Sequence, residues 1–297
     1  MDNNLMKTLE KCNLCPHRCN VNRLKGEVGR CKMTADVKIA LTNLHYYEEP
    51  CISGKNGSGT VFFTGCNMSC KYCQNYKISQ ELKGDTISID EVANSFIRLQ
   101  EMNANNINLV TGVIYVPQII EAISIAKKRG LKIPIIYNSS GYENVETIKL
   151  LEGYIDVYLP DLKYYYNELG EKLSNIKNYF ETAISAIKEM YKQVGSPYFN
   201  DNGLIQKGLI IRHLVLPNHL MNSKMVLKWI SKNINRNVLV SIMSQYFPTY
   251  MALDMEDINR KLTFEEYTEI KRYIEKYNIK GYFQDIEDDE EKYVPKF

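Results

Sequence analysis

The sequence has almost no excess of either charge and no apolar run of transmembrane length. Its 37 lysines and arginines nearly balance its 35 aspartates and glutamates, which leaves a formal net charge of +2. So small a charge does not favour nucleic acid or an anionic membrane as a partner. No uninterrupted apolar stretch is long enough to span a bilayer, and no segment has the pattern of a signal peptide. We therefore expect a cytoplasmic protein with no nucleic-acid and no membrane partner.

The eight cysteines are more informative. In a reducing compartment, cysteines bind metals more often than they form disulfides. Seven of them fall into two groups, and the eighth, Cys51, is expected to be structural.

Cys66, Cys70 and Cys73 form the first group, at C-x3-C-x2-C spacing on a predicted loop. A structural zinc ion takes four ligands, and a [4Fe–4S] cluster held by four thiolates has no open iron. Three neighbouring cysteines therefore predict a cluster with one iron left open for a ligand that is not protein. A zinc knuckle and three unrelated buried cysteines are the alternatives, and the close third cysteine is hard to explain as part of a zinc pair.

This stretch resembles the cluster loop of the radical S-adenosylmethionine (SAM) superfamily, including an aromatic residue, Tyr72, just before the third cysteine. The resemblance implies a [4Fe–4S] cluster on Cys66, Cys70 and Cys73 whose open iron binds the amino and carboxylate groups of SAM. It also implies that SAM is reductively cleaved to methionine and a 5′-deoxyadenosyl radical, which takes a hydrogen atom from a substrate. An electron donor such as flavodoxin or ferredoxin is then an expected partner.

The second group has C-x2-C-x3-C-x11-C spacing and consists of Cys12, Cys15, Cys19 and Cys31. Four thiolates fill a tetrahedral zinc site or ligate an auxiliary iron–sulfur cluster, and the spacing does not choose between the two. Gly26 and Gly29 would let the intervening loop fold back and bring the last cysteine to the others. Because a four-ligand set is closed, we expect a structural role first and electron transfer second. Four unligated cysteines are the alternative, and His17 is a candidate to replace one ligand.

Apolar runs and helical segments alternate from residue 60 onward. Capping boxes at Ser88–Glu91 and Thr263–Glu266 open two of the helices. Six strands are predicted near residues 60–63, 107–111, 133–137, 155–159, 209–216 and 238–242. Several are almost wholly apolar, which is typical of a buried parallel sheet in an α/β fold. Six units are fewer than a closed barrel needs, and the resemblance implies a partial (β/α)6 barrel with the cluster loop after the first strand.

We divide the chain into a cysteine-rich metal-binding extension at residues 1–36, the partial barrel at residues 37–285 and an acidic tail at residues 286–297. The acidic run Asp285–Glu291 is expected to be solvated, with docking of a basic partner or a reductase as the alternative. Glu48 and Glu49 lie just before the barrel and are expected to be exposed, although their position would also let them face the site.

Ligands bind at the carboxyl ends of the strands in parallel α/β folds. The candidate SAM-binding residues there are Tyr72, Asn108, Thr111, Asn138, Ser140, Asp161, Lys163, Arg212, His213 and Gln245. Arginine suits the SAM carboxylate, asparagine and serine suit the ribose hydroxyls, and Asp161 suits an amine or a hydroxyl. Arg212 and His213 interrupt an apolar strand, so each needs a polar partner.

Several segments also resemble the glycyl-radical-enzyme activating enzymes, in particular the subgroup called pyruvate formate-lyase activating enzyme-like. These segments are Gly65–Asn67, Tyr72–Asn75, Asp161–Lys163 and Arg212–Pro217. The resemblance implies that the substrate is a glycine of a partner protein. Where activating enzymes carry Gly-Gly-Glu to bind the SAM amino group, this chain has Asn108–Gly112. The same radical chemistry on a small molecule or peptide is one alternative, and a non-catalytic iron–sulfur electron-transfer protein is another.

Overall fold

The structure, a computed structural model, describes residues 3–284. The strands of this part are β1 Val37–His45, β2 Ser58–Phe63, β3 Asp85–Ile87, β4 Ile107–Val110, β5 Ile135–Ser139, β6 Val157–Pro160, β7 Tyr198–Phe199, β8 Ile205–Leu214, β9 Leu239–Met243 and β10 Gly281–Phe283. Its α-helices are α1 Asn3–Met6, α2 Pro50–Ser53, α3 Tyr76–Ser79, α4 Ile89–Glu101, α5 Val116–Lys128, α6 Val145–Leu150, α7 Asn167–Ser174, α8 Tyr179–Val194, α9 Leu220–Asn233 and α10 Phe264–Tyr277. The predicted acidic run and tail lie outside the described residues.

The parallel sheet confirms the predicted partial barrel. Strands β2, β4, β5, β6, β8 and β9 lie side by side in that order, and each neighbouring pair is parallel. β10 adds a further parallel strand beside β9. At the other edge β1 pairs antiparallel with β2, and β3 pairs antiparallel with β1. No pairing among the described residues joins β3 to β10, so the barrel is open.

Local sequence signals explain several of the helix boundaries. Both predicted capping boxes are present, at Ser88 for α4 and at Thr263 for α10. Two helices, α7 and α8, follow the fourth parallel strand, β6. Asn175 ends α7 in the left-handed conformation, with φ of 52°, which asparagine tolerates better than most residues.

Alternate residues of each strand face opposite sides of the sheet. Tyr137 and Ile211 belong to the main core, which the surrounding helices share. Their neighbours Ile136 and Ile210 face the barrel interior and pack with Ile52 of α2. The short helix α2 therefore fills the end of the barrel that lies opposite the cluster loop. Among residues 3–284, no helix combines the length and the apolar character needed to cross a bilayer.

Candidate active site and cluster loop

A cavity of about 560 Å³ lies at the carboxyl ends of the parallel strands. This volume is typical of sites for small ligands and cofactors. Eleven of the thirteen residues predicted for the cluster and SAM line it: Cys66, Cys70, Tyr72, Cys73, Thr111, Asn138, Ser140, Asp161, Lys163, Arg212 and Gln245. Asn108 and His213 do not line it.

The cluster loop, residues 64–75, follows directly from the end of β2. Each of its three thiols has a hydrogen-bonding neighbour. The N–H of Met68 donates to Cys66 Sγ at 3.4 Å, the hydroxyl of Ser174 donates to Cys70 Sγ at 3.0 Å, and Cys73 Sγ lies 3.3 Å from Ser79 Oγ. Such contacts orient metal-binding thiolates and stabilise their charge.

Burial controls the protonation of these thiols. It raises the pKa of Cys66, Cys70 and Cys73, that of Cys70 to about 11, so the thiols are neutral at physiological pH until a metal displaces their protons. Three soft sulfur donors on one loop, facing a cavity large enough for a small-molecule ligand, fit an iron–sulfur cluster with an open position.

A buried hydrogen-bonded chain leads to Cys70. The hydroxyls of Tyr72 and Tyr164 lie 2.6 Å apart, and the hydroxyl of Tyr164 lies 2.6 Å from that of Ser174. Ser174, at the end of α7, then donates to Cys70 Sγ. Neither Ser174 nor Ser79 was predictable from the sequence, because isolated serines outside a motif carry no functional signal.

Asp161 and Lys163 form a partly buried ion pair beside the cluster loop. Lys163 Nζ lies 2.5 Å from Asp161 Oδ2. Burial alone would lower the pKa of Lys163, but the charges of Asp161 and Cys70 raise it above its ordinary value. The hydroxyl of Tyr179 accepts the Lys163 N–H at 2.9 Å and lies 3.0 Å from the Asp161 carbonyl oxygen. Lys163 is thus a fixed positive charge close to the predicted cluster.

Glu48, Glu49 and Arg212 form the floor of the cavity, so the predicted exposure of both glutamates is wrong. Arg212 donates to the two oxygens of Glu49 at 2.8 and 2.6 Å, and it also donates to Glu48. Asn108 Nδ2 donates to the remaining oxygen of Glu48 at 3.0 Å. Burial alone would raise the pKa of Glu49, but the charge and hydrogen bonds of Arg212 lower it. Arg212 is therefore already neutralised by protein carboxylates, and the floor carries one net negative charge.

His213 faces away from the cavity, which corrects its prediction as a SAM-binding residue. It follows Arg212 in β8, so its side chain lies on the opposite face of the sheet. Its Nδ1 lies 2.6 Å from the carbonyl oxygen of Leu162, and its Nε2 lies 2.8 Å from Ser223 Oγ on α9. Burial lowers its pKa to about 4, so the ring is neutral. His213 joins the sheet to α9.

Thr111 has strained backbone at the end of β4. Its φ is +62°, a left-handed value that β-branched residues rarely adopt. Its N–H donates to the carbonyl oxygen of Asn138 at 3.0 Å. Strain of this kind occurs preferentially at functional sites. It falls here in the stretch where the activating enzymes carry Gly-Gly-Glu.

Glu143 is a buried carboxyl group just behind the cavity wall. It accepts hydrogen bonds from Ser139 at 2.5 Å and from Tyr137 at 3.2 Å. Burial raises its pKa to about 7 in spite of these bonds. A raised carboxyl pKa means that the folded state holds a proton that the unfolded state releases, so stability is lost as the pH rises from about 4.5 to above 7.

We therefore expect Glu143→Gln to remove a pH-dependent loss of stability. A shift of this size corresponds to about 3 kcal/mol between acidic and alkaline pH. Urea unfolding midpoints at pH 5, 6, 7 and 8 would show a decline in the wild type that the variant lacks. The control is Glu146→Gln, because the side chain of Glu146 is 74% exposed. Parallel pH profiles of wild type and Glu143→Gln would contradict the assignment.

The four N-terminal cysteines line a second, small cavity together with Arg23, Gly29 and Ile114. His17 does not line this cavity: its Nε2–H donates to the carbonyl oxygen of Asn67 at 2.7 Å. Its proposed place as a replacement ligand is therefore not supported by its position. Within the described residues, no group of three or more histidine, cysteine or acidic side chains lies close enough together to hold a metal ion without rearrangement.

Fold and site together define a partial-barrel α/β protein with a three-thiol loop on a ligand-sized cavity. The model of the radical SAM superfamily matches residues 60–215, more than half of the chain. The chain therefore belongs to the radical SAM superfamily. Membership implies a [4Fe–4S] cluster and SAM, and hence an enzyme.

Three known proteins are similar to this chain. An uncharacterized protein of Methanocaldococcus jannaschii is 38% identical over 282 residues, which cover 91% of this chain and 76% of the relative. The structure of Streptococcus suis SuiB bound to S-adenosylmethionine has a TM-score of 0.50 at 13% identity, over 74% of this chain and 48% of SuiB. Methylornithine synthase (PylB) has a TM-score of 0.49 at 15% identity, over 70% of this chain and 59% of PylB. The chain thus matches less than two thirds of either of these solved structures.

Replacing Ser174 with alanine is expected to lower the reduction potential of the cluster. If Cys70 holds the predicted cluster, the hydroxyl that donates to its Sγ would stabilise the added negative charge of the reduced state. Loss of a bond worth about 1 kcal/mol shifts a one-electron potential by about 40 mV. A redox titration followed by electron paramagnetic resonance measures the shift, with the exposed Ser185→Ala as control. An unchanged potential would mean that Ser174 only packs against the loop.

Proposed function

We propose that this protein cleaves SAM reductively at a [4Fe–4S] cluster held by Cys66, Cys70 and Cys73 and takes a hydrogen atom from a substrate in the adjoining cavity. The observation that carries the proposal is that the three thiols open onto the same cavity as the polar strand ends. When bound, the cluster and SAM supply a one-electron cleavage that releases methionine and leaves an adenosyl group able to accept hydrogen. An electron donor of the flavodoxin or ferredoxin type supplies the electron.

The residues of the cavity wall are assigned by their chemistry. Asn138 and Ser140 supply amide and hydroxyl groups for the ribose, and both line the cavity. Asp161, held by Lys163, supplies an acceptor for an amine or a hydroxyl. Tyr72 and Gln245 line the cavity beside the cluster loop and limit the orientation of the ligand.

For the substrate, we propose a glycine of a partner protein. The support is the resemblance of the four segments to activating enzymes, together with the shape of the cavity mouth. Tyr46, Tyr47 and Phe283 line the cavity and are also 51%, 48% and 37% exposed. Exposed aromatic side chains at the entrance suit a polypeptide segment entering from outside.

The charge of the floor favours a second candidate, a small molecule or peptide with a cationic group. Glu48 and Glu49 both line the cavity and share one guanidinium. An ammonium group of the substrate would supply the missing positive charge.

The proposal is tested with anaerobically reconstituted protein, dithionite and SAM, by measuring 5′-deoxyadenosine. No product, together with no signal from an open iron site, would contradict it. The substrate is then sought by deuterium transfer into 5′-deoxyadenosine, from a glycine-deuterated candidate partner protein in one arm and from deuterated amines in the other. Whichever arm transfers deuterium identifies the substrate class.

A further inference from the structure

Arg23 is a fully buried cation whose partners are neutral. Only 1% of its surface is exposed. Its guanidinium donates to the carbonyl oxygens of Met33 at 3.2 Å, of Thr34 at 3.1 and 2.6 Å, and of Ile114 at 2.5 Å. None of the ion pairs found among residues 5–284 includes Arg23. A buried charge without a counter-charge is strongly unfavourable, so a negative group is expected beside it.

The group beside the guanidinium is a thiol. Arg23 Nη1 lies 3.9 Å from Cys12 Sγ, and Arg23 lines the same small cavity as all four N-terminal cysteines. Once their thiols are ionised, these cysteines place negative charge directly beside the guanidinium.

We propose that Cys12, Cys15, Cys19 and Cys31 bind a metal centre through four thiolates, and that Arg23 is its fixed counter-charge. Each thiol loses its proton to solvent when the metal binds. Four thiolates around Zn²⁺, or around an oxidised [4Fe–4S] core, leave two net negative charges. Either centre therefore supplies the charge that the buried guanidinium lacks, and the chemistry common to both is a closed tetrathiolate site.

The loop before Cys31 is shaped around a sulfur atom. The N–H of Arg30 donates to Cys19 Sγ at 3.3 Å. A Cβ atom at Gly29 would lie 2.7 Å from the same sulfur, so a larger residue there would displace Cys19. Close backbone approach and an N–H aimed at sulfur are features of thiolate sites, because they stabilise the charge on the ligand.

The cavity itself is narrow. Its volume is about 10 Å³, about the space of one small atom. This space suits a single metal ion, and the four sulfurs would have to move apart to hold a cluster.

The proposed metal centre would also fix the position of the N-terminal segment, which donates hydrogen bonds to the cluster loop. His17 donates to the carbonyl oxygen of Asn67, the residue after Cys66. Arg30 Nη2 donates to Ser69 Oγ at 3.0 Å, inside the same loop. Both bracing residues lie between cysteines of the N-terminal set, so their positions depend on how those cysteines are held together.

The test separates the two thiol sets. Full-length protein with Cys66, Cys70 and Cys73 all replaced by alanine is purified anaerobically, and its zinc and iron are counted. About one zinc or about four iron atoms per chain is expected to remain, and the metal found identifies the centre. Cys19→Ser in this background is expected to remove it, whereas Cys51→Ser is expected to keep it. A metal-free triple variant, or a metal content unchanged by Cys19→Ser, would overturn the proposal. Neither result depends on whether the protein cleaves SAM.

Arg23 is tested through the coupling between metal and stability. Chelation of the triple-alanine variant, which lacks the cluster-loop thiols, is expected to lower its melting temperature, because it leaves Arg23 buried without a counter-charge. In the same background, Arg23→Gln is expected to lose its metal to a chelator at least tenfold faster, and Arg23→Lys is expected to be closer to the parent variant. If Arg23→Gln does not fold, chelation of the triple-alanine variant alone decides, and an unchanged melting temperature after complete removal of the metal would overturn the assignment.

Discussion

Replacing Cys70 with alanine is expected to abolish SAM cleavage, with a fall of more than about 10³-fold in rate. In the proposed function the electron reaches SAM only through the cluster, and Cys70 is one of the three thiols proposed to hold it. The fold should survive, because Ser174 keeps its 2.6 Å contact with Tyr164 when the sulfur is gone. The measurements are 5′-deoxyadenosine formed under anaerobic reduction, iron content and the melting temperature.

Cys51 provides the matched control for that prediction. It is buried, with 4% of its surface exposed, but it packs at the floor with Ile52 and belongs to neither thiol set. Cys51→Ser is expected to retain iron and SAM cleavage. Wild-type cleavage by Cys70→Ala would contradict the assigned cluster, and loss of cleavage in both variants would point to general damage.

Replacing Arg212 with methionine is expected to destabilise the fold by about 3–5 kcal/mol, which is the usual cost of removing one partner from a buried ion pair. The change leaves Glu48 and Glu49 facing each other without the guanidinium that joins them. For a chain of this size the melting temperature should fall by about 6–20 °C. Thermal unfolding monitored by circular dichroism measures the fall.

The pH dependence separates this electrostatic effect from lost packing. In the wild type the pKa of Glu49 is low, so Glu49 contributes stability above its unfolded pKa and loses it as the pH falls through the lower folded pKa. Without Arg212, burial and Glu48 raise the pKa of Glu49. The deficit of Arg212→Met should therefore be largest at pH 8 and shrink toward pH 5. The triple variant that also carries Glu48→Gln and Glu49→Gln should recover much of the loss, and a deficit independent of pH would contradict the argument.

The barrel strands were predictable because each one is an apolar run between recognisable turns. Ile107–Val110 and Val157–Pro160 are buried on both faces, and that is the pattern of a parallel sheet. The edge strands were not predictable. Asp85–Ile87 and Gly281–Phe283 have three residues each, too few for a periodic signal, and they become strands only through pairing with β1 and β9.

The site was predictable where chemistry is local and unpredictable where it is long-range. The spacing of Cys66, Cys70 and Cys73 marks the loop by itself. Glu49 and Arg212 are 163 residues apart, and nothing in the sequence indicates that they form a pair. His213 shows a different error. The sequence correctly predicted that this polar residue in an apolar strand needs a polar partner, but the alternation of side chains along β8 places that partner on the face away from the cavity.

The origin of the cavity floor has a consequence for how this branch of the superfamily diversifies. The segment shared with the superfamily spans residues 60–215, so it includes the cluster loop and Arg212. Glu48 and Glu49, which pair with Arg212, lie upstream of that segment. The mouth likewise takes Tyr46 and Phe283 from outside that segment. Substitutions before residue 60 and after residue 215 can therefore change which substrate the cavity binds without changing the cluster loop. Two proteins with identical cluster loops need not share a substrate.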